Sequence, residues 1–239
     1  MSLIIGTSGY SYSYWGPMIS ASGNKSTNFY TTKTPDSQFR EYTKHFKSVE
    51  ICCTAFRRLT PKMCEKWYKI SPKDFVFTVK VPQYITNWKK LNNFKELWEE
   101  FYVSISNLKE KLGVVLFLFC EKFQRTPENL RRLSNAKKII PKNIKCAFEF
   151  RHDSWYGFEN NTDEKDPVDS MFVENWTKVI THTSGKLGNL KSGYHLSDTS
   201  LSNFTYIRLH GTREFCFGSY GVEQMKEIFD IFIEKDKPV

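Results

Sequence analysis

The segment Lys145-Cys146-Ala147-Phe148-Glu149-Phe150-Arg151-His152 runs from apolar to charged, and Thr205-Tyr206-Ile207-Arg208-Leu209-His210-Gly211 repeats the pattern. Weaker versions are Val49-Glu50-Ile51 and Phe75-Val76-Phe77-Thr78-Val79-Lys80. Side chains of an extended strand alternate faces, so Glu149 and Arg151 share one face, as do Arg208 and His210. Charge carried on four separate strands predicts that they deliver it to one place. There Arg151, Arg208 and Lys80 would clamp a phosphate or carboxylate, because guanidinium offers paired donors matched to both. Glu50 or Glu149 would serve as general base, with His152 or His210 as acid. The competing reading is an internal salt-bridge network of Glu50 and Glu149 with Lys80, Arg151 and Arg208, since buried charges must be paired.

Two other classes of function compete. His152, His182 and His210, with Glu149 or Glu50, are residue types that bind zinc or manganese. A metal-dependent phosphodiesterase or nuclease would suit the net charge of +9, although no His-x-His or His-Glu-x-x-His spacing occurs. A non-catalytic nucleic-acid-binding module is the third class. Arg131-Arg132 with Lys137-Lys138, and Trp88-Lys89-Lys90, are clusters able to meet a phosphate backbone, or ordinary solvated helix faces. Tyr10, Tyr12, Tyr14 and Trp15 follow the first strand, where they would line a binding mouth or plug it. Ser8 lies in no nucleophile elbow, no cysteine is visibly paired with a histidine, and the sequence specifies no cofactor.

The elements that must position these residues alternate. Strands are expected at 3–8, 48–54, 75–81, 114–119, 144–151, 176–181 and 205–210. Helices are expected at 36–46, Pro61–Ile70, 94–112, 127–138 and Val222–Ile233, the first capped near Asp36 or Ser37. Gly113 is read as the stop of the long helix. Strands alternating with helices imply parallel pairing through right-handed crossovers. Gly6-Thr7-Ser8-Gly9 lacks the third glycine and the lysine of phosphate-binding loops, so a (β/α) barrel is favoured over a doubly wound sheet. Seven strands leave such a barrel without its eighth strand-helix unit. The expectation is one domain over 1–239, with a polar insertion at about 159–170 and an irregular loop at about 184–203.

Composition supports a folded protein: 239 residues, 40% hydrophobic and 16% aromatic. The positive charge favours anionic small molecules or nucleic acid as partners. The amino-terminal segment has no secretory pattern, and no apolar run approaches the ~18 residues that span a bilayer. Six cysteines without a Cys-x-x-Cys pair read as buried reduced thiols of a cytoplasmic or nuclear protein, and a cytoplasmic location is the expectation.

Five ordered motifs resemble the YecE-like family, domain of unknown function 72. They are Ile5-Gly6-Thr7-Ser8-Gly9-Tyr10 with Trp15-Gly16; Val49-Glu50-Ile51 leading to Phe56-Arg57; Phe75 to Lys80; Ala147 to His152 with Ser154-Trp155; and Tyr206 to Gly211. The resemblance runs from residue 3 to about 234. It implies a TIM-barrel-like fold and carries no assigned reaction. Departures from the family pattern are Cys52 for an asparagine, Ala55-Phe56 for a Phe-Tyr pair, Thr86-Asn87 for Thr-His, and Leu118, Cys120 and Glu121 at the end of the fourth strand. A closing Phe-Asn-Asn-like segment is absent.

Overall fold

The computed structural model describes residues 3–12, 15–16, 29–55, 58–156, 168–185, 187–188, 190–195, 201–214 and 216–233. Phe56-Arg57 and the expected polar insertion up to residue 167 lie outside them. In chain order the elements are β1 (Gly6–Ser8), α1 (Pro35–Tyr42), β2 (Ser48–Ile51), α2 (Pro61–Ile70), β3 (Val76–Lys80), α3 (Phe94–Ile105) and β4 (Leu112–Phe119). Then come α4 (Pro127–Ile139), β5 (Lys145–Phe150), β6 (Trp176–Lys178), β7 (Ile180–Thr183), β8 (Gly193–His195), β9 (Ile207–Leu209) and α5 (Val222–Ile233).

Three of the helices open alike. Thr34, Thr60 and Thr126 each cap the backbone N–H three residues on, and Pro35, Pro61 and Pro127 follow them. A threonine oxygen satisfies an orphan donor while proline fixes φ where no N–H is needed. The start of α1 is therefore Thr34-Pro35, not Asp36 or Ser37.

β1 to β6 form one parallel α/β sheet in sequence order. Val49 lies beside Thr7 and Phe77, and Cys146 beside Trp176. A second sheet has the order β8-β7-β9, with β7 antiparallel to β8 and parallel to β9. The expected strand at 176–181 is thus split between two ladders. Val179 N–H donates to Phe148 at 2.9 Å, and the next N–H, on Ile180, donates to Tyr206 at 2.9 Å. Alternate backbone groups of one segment serve partners on opposite sides. The stretch 184–203, expected to be irregular, contributes β8. No helix among the described residues is long and apolar enough to cross a membrane.

The chain divides into two compact units, one of residues 4–82 and 99–114, the other of residues 1–3, 83–98 and 115–239. In the first, the fully buried Tyr42 ties α1 to two strands: its hydroxyl accepts from Thr7 N–H at 2.9 Å and donates to the Ser48 carbonyl at 2.8 Å. The long helix expected to reach residue 112 ends at Ile105 and tightens into a 3-10 stretch over Ser106–Lys111. Gly113 is not a helix stop. It lies inside β4, where an added Cβ would meet Val76 Cγ1 at 2.2 Å, so its missing side chain admits a neighbour.

The tightened stretch drives Lys111 inward, where 6% of it remains exposed. Its ammonium donates to the carbonyls of Tyr68 and Ser71 at 2.8 and 2.9 Å and to Ser71 Oγ at 2.8 Å, closing the carboxyl end of α2. Burial pushes the Lys111 pKa below its ordinary value, with Glu110 opposing the shift. Lys111→Met is expected to lower stability by about 1–3 kcal/mol, because acceptors are left without a donor. Chemical-denaturation midpoints read this directly; an unchanged midpoint would show that water replaces the ammonium at no cost.

The second unit stacks its aromatic rings. Trp155 lies on Phe150 at 3.9 Å and 10°, Phe150 on Phe119 at 5.4 Å and 10°, and Phe117 on Phe148 at 4.9 Å and 9°. Trp155 Nε1 donates to the Phe123 carbonyl at 2.7 Å, so the indole is buried without an orphan donor. This column packs beside β5 and fixes the backbone that carries Glu149.

Candidate functional site

Glu149 is fully buried near the carboxyl end of β5. Arg151, two residues on and on the same strand face, brings Nε to 3.1 Å from Oε1. Arg208 of β9 donates from Nη1 to Oε2, and His210 Nε2 lies 3.5 Å from Oε1. The arginine side chains keep 22% and 10% of their surface, and His210 keeps 6%. Burial alone would raise the Glu149 pKa. The charge of Arg208, the hydrogen bond and charge of His210, and the charge of Arg151 together outweigh it and hold the carboxyl well below its ordinary range.

Thr181 sits beside Arg208 in the parallel register of β7 and β9, so the two side chains share a face. Thr181 Oγ1 is buried and makes no hydrogen bond within 3.5 Å. The Tyr156 hydroxyl, on whose titration Thr181 acts, donates to the Phe150 carbonyl at 3.1 Å. Burial first, and then the charge of Glu149, push the Tyr156 pKa upward.

The three histidines of the metal reading have separate engagements. His152 Nδ1 accepts from Ser154 N–H at 3.1 Å and lies 2.9 Å from Ser154 Oγ, capping the turn at Asp153–Trp155. His182 lies within β7, on the face of Ile180, and its Nδ1 meets the Tyr220 hydroxyl at 2.6 Å. Burial, then His195 and His210, lower its pKa. Among the described residues no three His, Cys, Asp or Glu side chains are arranged to hold a metal ion.

The remaining expected residues belong to the other unit. Glu50, 6% exposed, accepts from Ser8 Oγ at 3.1 Å and from Cys52 Sγ at 3.0 Å, and Ser8 Oγ lies 2.9 Å from Cys52 Sγ. Lys80 closes β3, its carbonyl accepting from Thr54 Oγ1 at 2.5 Å. Tyr10 packs edge-on against Phe39 at 4.9 Å, and burial raises its pKa. Trp15 packs against Tyr12 at 4.9 Å and Phe29 at 5.2 Å. Both rings stand in aromatic clusters.

The family described as "Protein of unknown function DUF72" matches residues 4–235. The chain belongs to that family. UPF0759 protein YunF of Bacillus subtilis (strain 168) is 28% identical over 194 residues, which is 77% of this chain and 66% of YunF. UPF0759 protein YecE of Escherichia coli (strain K12) is 25% identical over 120 residues, 50% of this chain and 43% of YecE. The chain thus spans less than two thirds of the length of these curated relatives. Crystal structures of DUF72 family proteins share the fold. One from Thermotoga maritima MSB8 superposes with a TM-score of 0.73 at 24% identity, covering 97% of this chain and 86% of that one. One from Enterococcus faecalis V583 gives 0.70 at 19% identity, covering 97% and 84%.

In this DUF72 chain the structure adds residues that sequence reasoning missed. Cys52 and Ser8 gather on Glu50, and period-2 placement at the ends of adjacent strands was the available signal. Thr181 and Tyr156 join Glu149, and nothing in the sequence marks either. Cys216 is held by its N–H on the His210 carbonyl at 2.7 Å, with φ of 59°. Burial raises its thiol pKa, while Arg208 and Arg151 lower it and Glu149 raises it. Gly188 lies against Arg151: a Cβ there would stand 2.6 Å from the Arg151 carbonyl.

Proposed function

We propose that this DUF72 protein binds a small anionic ligand, a phosphate ester or a carboxylate, at Arg151, Arg208 and His210, with Glu149 as their fixed counter-charge. The observation that carries the reading is one fully buried carboxylate shared by the guanidinium groups of Arg151, just after β5, and Arg208 of β9. A carboxylate shared in this way fixes the orientation of both arginines, and guanidinium groups so fixed offer paired donors to an anionic ligand. Thr181 Oγ1, buried beside Arg208 and interacting with the Tyr156 side chain, supplies a polar atom for a ligand oxygen. If the ligand is turned over, His210 is placed to donate a proton to it. The same reading takes the parallel strands as those of a (β/α) barrel, in which sites gather at the strand carboxyl ends, where Glu149 lies.

A thermal-shift panel of inorganic phosphate, sugar phosphates, nucleoside monophosphates and dicarboxylates tests the proposal. A ligand at 100 times its Kd stabilises by about 2.7 kcal/mol, which a melting shift of several degrees would report. A binder that loses its shift in Arg151→Ala supports the site. A panel without any shift overturns it.

A further inference from the structure

Residues 84–93 follow β3 and take no part in the arginine–glutamate group. Tyr84–Trp88 form one π turn, closed by Lys89 N–H on the Tyr84 carbonyl at 2.9 Å, and Leu91 N–H reaches the Ile85 carbonyl at 3.0 Å. Lys90, Leu91 and Asn93 then take φ of 47°, 62° and 52°. Left-handed backbone is disfavoured for lysine and leucine, and isolated π turns cluster at functional sites. Such strain persists only where surrounding contacts impose it. Here Ile85, Thr86 and Leu91 are buried, and Asn87 Oδ1 accepts from Cys120 N–H at 3.0 Å.

The anchored turn presents rings outward. Trp88 is 70% exposed and Tyr84 41%, and they stand edge to face at 5.8 Å. Lys89 Nζ lies 5.6 Å from the Tyr84 ring centre, and Lys90 Nζ is held on the Lys122 carbonyl at 3.0 Å. Glu121 is the acidic neighbour in sequence. By contrast Trp67, Trp98, Trp155 and Trp176 are buried.

We propose that Trp88 is a stacking platform for an unpaired base of single-stranded nucleic acid, with Lys89 and Lys90 meeting the adjoining phosphates. A rigid, exposed ring flanked by cations suits a strand whose bases offer open faces, and a duplex hides those faces. The net charge of +9 adds long-range attraction for a polyanion.

The test titrates the whole chain with a short oligothymidylate, a duplex of equal length and phosphatidylserine vesicles. The oligothymidylate should quench tryptophan fluorescence and bind more tightly than the duplex. By anisotropy of a labelled strand, Trp88→Ala should weaken binding about 5- to 150-fold, the measured range for one stacked base. The double variant Lys89→Gln/Lys90→Gln should reduce the slope of log affinity against log salt by about 1.4, at about 0.7 for each phosphate contact. Trp88 is exposed, so its variant folds, and Trp88→Phe, which keeps a ring face, should recover most of the strand binding. Undiminished binding by Trp88→Ala, preference for the duplex, or binding to vesicles alone would each overturn the proposal.

Discussion

Glu149→Gln should lower stability at neutral pH by about 3–5 kcal/mol, the range found when a buried ion pair loses one partner. The amide keeps the shape of the carboxylate but turns an N–H toward one of the two arginines. Both guanidinium groups then lose the charged carboxylate they share, in a poorly solvated place. The loss should depend on pH with a definite sign. The folded state holds the Glu149 carboxyl well below its ordinary value of 4.5, so between those two values the unfolded chain binds more protons. The stabilisation is complete above the unfolded value and is lost as pH falls through the folded one. Denaturation midpoints of the two proteins should be far apart at pH 7 and draw together below about pH 4. A gap that stays constant down to pH 3 would mean that glutamine costs shape rather than charge.

Pairs of like-placed charges were the readable part of this site. Glu149 with Arg151, and Arg208 with His210, follow from period 2 alone, and each pair meets around the one carboxylate. Motif order likewise named the family, and the Pro61 start and the helix at Val222–Ile233 follow from capping and apolar spacing. Other features depended on tertiary contacts that leave weak local signals. Gly113 reads as a helix stop because glycine often is one; its reason is Val76, a neighbour distant in sequence. Nothing in the sequence marks Lys111 for burial, yet the carbonyls at the end of α2 draw it inside. The passage from β6 to β7 has no glycine or proline to announce it, since Val179 and Ile180 merely bond in opposite directions. Tyr10 and Trp15 follow a strand, which is why they read as a mouth or a plug. Their packing on the rings of Phe39 and Phe29, brought near by α1 and the segment before it, left no local signal.

Arg208→Ala separates the ligand site from a purely internal ion network. It removes the guanidinium bound to Glu149 Oε2 and should cost about 3–5 kcal/mol of stability, leaving the carboxylate with Arg151 and His210. Stability loss alone decides nothing, because both readings require it. The decisive measurement is ligand affinity in the folded fraction, taken with whichever anion shifts the wild-type melting point. Arg151→Ala serves as the gentler companion, since that side chain is the more exposed of the two. If Arg151 and Arg208 hold the ligand, both variants bind it at least ten-fold more weakly. Arg208→Lys then recovers the charge without the paired donors and regains little. Unchanged affinity in the folded fraction of both alanine variants would leave Glu149 and its arginines as a structural pairing between β5 and β9, and the anion, wherever it binds, would bind elsewhere.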